Sequence, residues 1–474
     1  MFNQIVRAVS GSVERHRIRA ELLAADPERL VTAVEAHAAE AERTLARSAA
    51  ATQDGVLAGI AALAIDLRST WLLWARHPGE GMGEAAAAAS ERLCRVLDPH
   101  GRSDLRDAVR SEAASIEASS LARLARMTAA GKRANPWGND SPQELDWALR
   151  RGAVLVTTNP IMIDAACRAA PERWDPVRDA IVEDSAIEPA RRAAELALRV
   201  VAGVACELRP IFEASDGAYG WVTYQVDPRA AGDAASMIDE AGYVHDRLTG
   251  ELDAIPNVRF KLPGTEAGLD ACSALAARAI GLVITASCSV AQHLAFAEVL
   301  ERSAPDAGTG PAGLLVMMNG RLDETVAAEL AAAGDPDPES VARWASAAIT
   351  QRSYALLRDR GCRRSALLVA SMRGPWHIDT AVTAGPEPVY FSCFPDRARA
   401  YDAEPRALAA GIDDRAASGV LDRLARSRSF RLAFEPDAMR PARFAEHPTV
   451  AATLKSFAAA RDALDHYTMS PPRV

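Results

Sequence analysis

The sequence predicts an α/β chain: a (β/α)8 TIM barrel with a helical domain before it and a helical extension after it. Three observations carry this prediction. From about residue 134, short β-branched runs alternate with Ala-rich helical stretches. The runs are apolar nearly throughout, which is the pattern of parallel strands covered on both faces. Seven clear runs and one weaker one occupy about 260 residues, which suits a closed barrel better than an open sheet.

Residues 1 to 130 are expected to form the helical domain, 131 to 400 the barrel and 401 to 474 the closing helices. The first segment is rich in Ala, Glu, Arg and Leu and lacks strand-like alternation. Asp26-Pro27 supplies a cap and first turn for the stretch "DPERLVTAVEAHAAEAERTLARSAA". Breaks at "HPGEG" (77–81) and "DPHGRSD" (98–104) divide the segment into a bundle of four or five helices. Trp71 and Trp74 lie three residues apart on one helix face and read as packing groups. The apolar run "GVLAGIAALAI" (55–65) meets Asp66 and Arg68, so it is a buried helix and too short for a membrane span.

The strand runs follow in order. The weak one lies near "RANPWGND" (133–140). The others are "AVLVTTN" (153–159), "GWVTYQVD" (220–227), "NVRFKLP" (257–263), "IGLVITAS" (280–287), "GLLVMMNG" (313–320), "SALLVASM" (365–372) and "PVYFSCF" (388–394). After about 400 the texture is helical again, and "FEPDAMRPARFAEHPTVAATLKSFAAARDALDHY" reads as a segment that packs on the barrel.

A net charge of -9 argues against a general nucleic-acid binder, while leaving room for a local basic pocket. Seven scattered cysteines without a C-x-x-C pair read as reduced thiols, and the N-terminus lacks a signal-peptide core. A cytoplasmic location, with no membrane partner, is therefore expected.

In a barrel, function sits at the C-terminal ends of the strands. The residues there are Asn159, Gln225, Lys261, Thr285, Arg321 and Arg373, with Asp140 before the first helix of the barrel. The chain writes nearly every cation as arginine and holds only Lys132, Lys261 and Lys455 as lysines. Burial lowers a lysine's pKa and frees its amine as a nucleophile, which arginine cannot imitate. A lysine snorkelling from a strand end is the alternative. Asn159-Pro160 can start a helix, and the same amide can face a substrate hydroxyl. Arg321 and Arg373 at neighbouring strand ends offer planar forks suited to a phosphate.

Residues 135 to 375 resemble the transaldolases of the class I aldolase group. "TTNP" is similar to their T-[ST]-N-P signature, and "NVRFKLPGTEAGLDA" to the segment that carries the Schiff-base lysine. "ITASCSVAQHLAFAE", "NGRLDE" and "ASMRG" resemble the segments after strands five, six and seven. The resemblance implies Lys261 as the Schiff-base lysine, Asp140 as the carboxylate at the substrate C4 hydroxyl, and Thr285 as the holder of a catalytic water. It implies Asn159 as a substrate ligand and Arg321, Ser371 and Arg373 as the phosphate grip. Phosphorylated sugars are the implied partners, a homodimer is a candidate assembly, and neither cofactor nor metal is expected.

The chain departs from the family at Gln225, where a glutamate is usual and where the related fructose-6-phosphate aldolases carry glutamine. A glutamine can orient a water but cannot relay its proton. Val283, Val316 and Met318 replace an asparagine, a serine and a phenylalanine, and "ERSAPDAGTGPAG" lengthens the loop before strand six. Three readings follow. The first is transfer of a three-carbon unit between sugar phosphates, as in the pentose phosphate pathway. The second is aldol cleavage or a specialised aldol transfer. The third is a catalytically weak barrel used for binding or assembly.

Overall fold

The computed structural model describes residues 13–47, 49–76, 80–252, 254–305 and 310–469. Eight parallel strands close into a barrel in sequence order. They are β1 Trp137–Asn139, β2 Leu155–Val156, β3 Trp221–Gln225, β4 Val258–Pro263, β5 Leu282–Thr285, β6 Gly313–Met318, β7 Ser365–Ala370 and β8 Val389–Cys393. The barrel closes where β1 pairs with β8, at Gly138↔Ser392. The weak first run is thus a true strand, shortened because the proline and glycine beside Trp137 interrupt its apolar pattern. Every residue of the eight strands is buried, which accounts for the continuous apolar runs.

Six α-helices precede β1 among the described residues, one more than the breaks in the sequence suggest. The extra boundary falls at Ser119, which leaves helical geometry between Ser103–Ala118 and Ser120–Ala129 and accepts a hydrogen bond from Ala122 N–H. The helix Pro27–Arg47 starts as expected, with Asp26 accepting from Arg29 N–H at 2.9 Å. Thr70–Trp74 is a 3-10 helix rather than an α-helix, and Trp74 packs against Tyr219 with ring centroids 4.8 Å apart. The Trp71 side chain and residues 77–79 of the "HPGEG" break lie outside what is described. Residues 306–309 of the long loop before β6 do so as well.

The N-terminal helices are tied to the barrel through charge. Asp66, fully buried in the helix Ala50–Leu67, accepts from Arg19 at 3.1 Å and from Arg150 at 2.9 Å. Arg19 also reaches Glu207 and Asp146 on barrel helices. At the other end of the chain, the helix Pro448–Met469 packs across the helices Pro160–Ala169 and Arg192–Ala214. Its Arg461 pairs with Glu240 at 3.1 Å. Among the described residues no helix is long and apolar enough to cross a membrane.

Candidate active site at the barrel mouth

Strand register decides which side chains face the barrel axis. Parallel partners share a face, and β3, β4 and β5 align Gln225↔Lys261↔Val283, with Pro263↔Thr285 one pleat further on. Lys261, Thr285 and Gln225 therefore point inward near the C-terminal ends of three adjacent strands. A cavity at that end is lined by Lys261, Asp140, Asn159, Thr285, Arg321, Ser371 and Arg373. Of the eight residues picked from sequence, only Gln225 is missing from this lining. It stands beside Lys261 in the register instead, and its Oε1 is buried without a hydrogen-bond partner among the described residues.

Lys261 is buried, and its Nζ donates to the Thr158 carbonyl oxygen at 3.0 Å. Burial pushes its pKa below the ordinary lysine value, and the nearby Asp140 opposes that shift. Burial raises Asp140 above the usual carboxylate range, while Lys261, the Thr157 hydroxyl and Arg321 pull it back. Thr157 Oγ1 donates to Asp140 Oδ1 at 2.6 Å and also contacts the Ser392 hydroxyl. Asn139, the neighbouring polar residue, spends its amide on the carbonyls of Ser141 and Gln143 at 2.8 and 2.7 Å. Asp140, and not Asn139, thus enters the cavity.

Asn159 caps the helix Pro160–Ala169 by accepting from Met162 N–H at 3.1 Å. Both readings of Asn159-Pro160 coexist, because the cap uses Oδ1 and the residue still lines the cavity. Arg321 has no carboxylate within 4.0 Å among the described residues, and its guanidinium lies 5.4 Å from the Phe457 ring centre. Arg373 is held by Glu324 at 2.7 Å and by the Ser371 carbonyl at 3.0 Å. Ser371 adopts a left-handed backbone, φ 58°, which turns its carbonyl toward Gly320 N–H as well, at 3.0 Å. A Cβ at Gly320 would fall 2.4 Å from that oxygen, so the glycine before Arg321 permits the approach of the two strand ends. Buried His377 accepts from Arg373 N–H at 3.1 Å and donates to Asp323 at 2.8 Å, which fixes the same loop.

The cavity is small, about 80 Å³. Phe457, from the C-terminal helix, and Phe394, just after β8, also line it. Neither was picked out from the sequence. Phe394 ends the last strand run and was open to the same strand-end reading; Phe457 carries no local signal, because its helix reaches the mouth from far along the chain. Thr157 and Thr158, by contrast, lie inside the "TTNP" stretch.

The fold and the inward lysine place the chain among (β/α)8 barrels with an amine, a carboxylate and arginines gathered at the C-terminal mouth. Within that class the chain belongs to the transaldolase/fructose-6-phosphate aldolase family, whose model matches residues 144–391. It is 30% identical over 209 residues to a transaldolase of Thiobacillus denitrificans, covering 43% of this chain and 56% of that protein. It is 31% identical over 209 residues to transaldolase 1 of Streptomyces avermitilis, covering 42% of this chain and 53% of that protein. A transaldolase of Acidothermus cellulolyticus is 34% identical over 143 residues, 30% of this chain and 37% of that protein. The chain thus matches about half the length, or less, of these relatives.

Proposed function

We propose that the protein is a transaldolase-type transferase that moves a three-carbon dihydroxyacetone unit from a ketose phosphate to an aldose phosphate through a Schiff base on Lys261. The observation that carries this reading is the buried Lys261 amine sharing one cavity with the Asp140 carboxylate. Family membership supports it.

The neutral amine of Lys261 adds to the C2 carbonyl of the ketose phosphate. The carbinolamine loses its C2 hydroxyl as water and becomes an iminium. A water between Thr285 and Gln225 carries the protons of this step; the unpartnered Gln225 Oε1 next to Lys261 supports that placement. Asp140 then takes the proton of the C4 hydroxyl while the C3–C4 electron pair moves into the iminium. The aldose phosphate leaves with a new C4 carbonyl, and the enamine stays on Lys261. A second aldose phosphate accepts the enamine carbon at its carbonyl carbon, and its oxygen takes the proton back from Asp140. Hydrolysis of the iminium releases the new ketose. Arg321, which has no carboxylate within 4.0 Å among the described residues, and Arg373 with Ser371 would hold the phosphate.

Gln225 favours a second reading, aldol cleavage, in which the enamine carbon is protonated to give an iminium, and water hydrolyses that iminium to dihydroxyacetone and the free Lys261 amine. Borohydride reduction in the presence of fructose 6-phosphate, followed by mass spectrometry, should find a three-carbon adduct on Lys261. Failure to trap an adduct with any ketose phosphate overturns the Schiff-base reading. Adding erythrose 4-phosphate then separates the two reactions: formation of sedoheptulose 7-phosphate means transfer, and free dihydroxyacetone means cleavage.

A further inference from the structure

Three histidines are buried among the described residues: His293, His377 and His447. His293 and His447 meet main-chain carbonyls through Nε2, those of Val316 at 3.2 Å and Ser429 at 3.0 Å. His377 alone of the three meets a carboxylate, with its Nε2 2.8 Å from Asp323 Oδ2. Its Nδ1 accepts from Arg373 N–H at 3.1 Å. A main-chain N–H can only donate, so Nδ1 carries no proton and Nε2–H is given to Asp323. The second carboxylate oxygen, Oδ1, accepts from Ser346 N–H at 3.0 Å. Asp323 is thus anchored at the start of the helix Ala345–Asp359, and it fixes both the tautomer and the direction of the imidazole.

The two ends of this chain of contacts carry the arginines of the barrel mouth. Asp323 stands two residues beyond Arg321 in the helix Asn319–Ala332, and Arg373 follows β7. Both arginines line the Lys261 cavity. They repel each other: burial lowers the Arg321 pKa, and the charge of Arg373 lowers it further, against Glu324 and Asp140. Two like charges that share a cavity need a frame that sets their separation. Gly320 N–H donates to the Ser371 carbonyl at 3.0 Å and joins the two strand ends directly. The Asp323–His377 pair adds a second tie, which ends on the main chain of Arg373 itself. The turn that brings His377 there has no room for a side chain at Gly374, where a Cβ would fall 1.8 Å from the Trp376 ring. Trp376 packs on His377 with ring centroids 5.0 Å apart, and the Arg343 guanidinium lies 4.8 Å from the Trp376 ring centre.

We propose that His377 and Asp323 are positioning residues for phosphate recognition, which set the separation of Arg321 and Arg373 so that one phosphoryl group spans both. Neither side chain lines the cavity, so both act through the arginines. The proposal rests on the phosphate grip assigned above to Arg321 and Arg373. A guanidinium binds phosphate through a planar fork of donors, so what one fork contributes depends on where the other stands. Misplacing such a group by about 1 Å costs on the order of a hundredfold.

Borohydride trapping of Lys261 with fructose 6-phosphate and with fructose, which differ only in the phosphoryl group, tests it on the full chain. Wild-type protein should favour the phosphorylated sugar. Asp323→Asn keeps the shape and the bond from Ser346 N–H, but sets an amide N–H against His377 Nε2. The imidazole must then carry its proton on Nδ1, against Arg373 N–H. In this variant and in His377→Leu the preference should fall about tenfold or more, while trapping by fructose stays within about twofold. Equal losses for the two sugars would mark a merely structural role and overturn the proposal. An unchanged preference in either variant, or no preference in the wild type, would overturn it as well. Should His377→Leu fail to fold, Asp323→Asn decides. If neither sugar gives an adduct, the Schiff-base reading falls, and calorimetric titration with inorganic phosphate decides the present proposal. Binding at least about tenfold weaker in Asp323→Asn then supports it, and equal affinity, or no binding by the wild type, overturns it.

Discussion

Burial acts on Lys261 and Asp140 in opposite directions, and each favours its neutral form against the attraction of the other. The sign of the resulting pH dependence follows. The folded Lys261 pKa lies below the ordinary lysine value, so its neutral amine is already present at pH values where a free lysine is protonated. Adduct formation should rise with pH through that lowered value and level off well before pH ~10.4, the ordinary lysine pKa. A rise that continues through the ordinary range in a trapping-rate profile would contradict it. The same shift costs stability: between the folded and unfolded pKa values the unfolded chain binds the extra proton, so stability increases with pH there. Lys261→Met should therefore abolish trapping and raise the urea midpoint, by more at neutral pH than near pH 10. Gln225→Glu restores a group that can relay a proton, and should increase sedoheptulose 7-phosphate formation relative to dihydroxyacetone release about tenfold or more, within the range of one general acid–base group. The inward strand-end residues were legible because polar or ionisable side chains stand at the ends of mainly apolar runs, and strands alternate in period two. Choosing between Asn139 and Asp140 was not: adjacent residues point apart, and only the loop carbonyls of Ser141 and Gln143 show where the asparagine is spent.

At the scale of elements, the helix Pro448–Met469 brings Phe457 to the barrel mouth. Phe457 lines a cavity of about 80 Å³, whereas pockets for small metabolites run to about 300 Å³ or more. The sugar phosphate of the proposed reaction would have to displace this ring, which also lies against the guanidinium of Arg321. Phe457→Ala should therefore lower KM for a ketose phosphate about tenfold, the equivalent of removing a closing preference of about 1.4 kcal/mol. It should cost about 3 kcal/mol of stability through the lost packing. Steady-state kinetics beside urea unfolding would separate the two effects, and an unchanged KM would mean that the ring is no barrier. The helix itself was legible from its composition. Its reach was not, because Arg461 finds Glu240 and Phe457 finds Arg321 across more than a hundred residues of chain. The Thr70–Trp74 turn shows the converse: its residues suit an α-helix, yet the close packing of Trp74 on Tyr219 accompanies a tighter 3-10 turn.

For the whole molecule, the question is what the helices before β1 do for the barrel. One buried carboxylate is a node of their attachment, beside contacts such as Arg151 with Glu112 and Ser119 with Asp402. Asp66 holds Arg19 from the first described helix and Arg150 from the helix between β1 and β2, and Arg19 extends the network to Glu207 and Asp146. These residues lie up to 188 positions apart in sequence, so composition could suggest a helical segment but not how it is held. Glu207 sits on Arg192–Ala214, the helix that leads into β3 and that also carries Arg199 with its own pair to Glu195. The network thus links the N-terminal helices to the layer that supports Gln225 and, through the β3–β4 pairing, Lys261. Asp66→Asn keeps the shape but removes the carboxylate that Arg19 and Arg150 share, leaving Arg19 only Glu207 and Asp146, and should cost about 3 kcal/mol. If the helices brace the barrel, borohydride trapping in native buffer should fall together with the urea midpoint, and a single unfolding transition should remain. If they are an independent appendage, the variant should show an early transition of the helices alone while trapping at Lys261 stays at the wild-type level. The shared carboxylate, fully buried, and the burial of its partner Arg19 favour the first outcome.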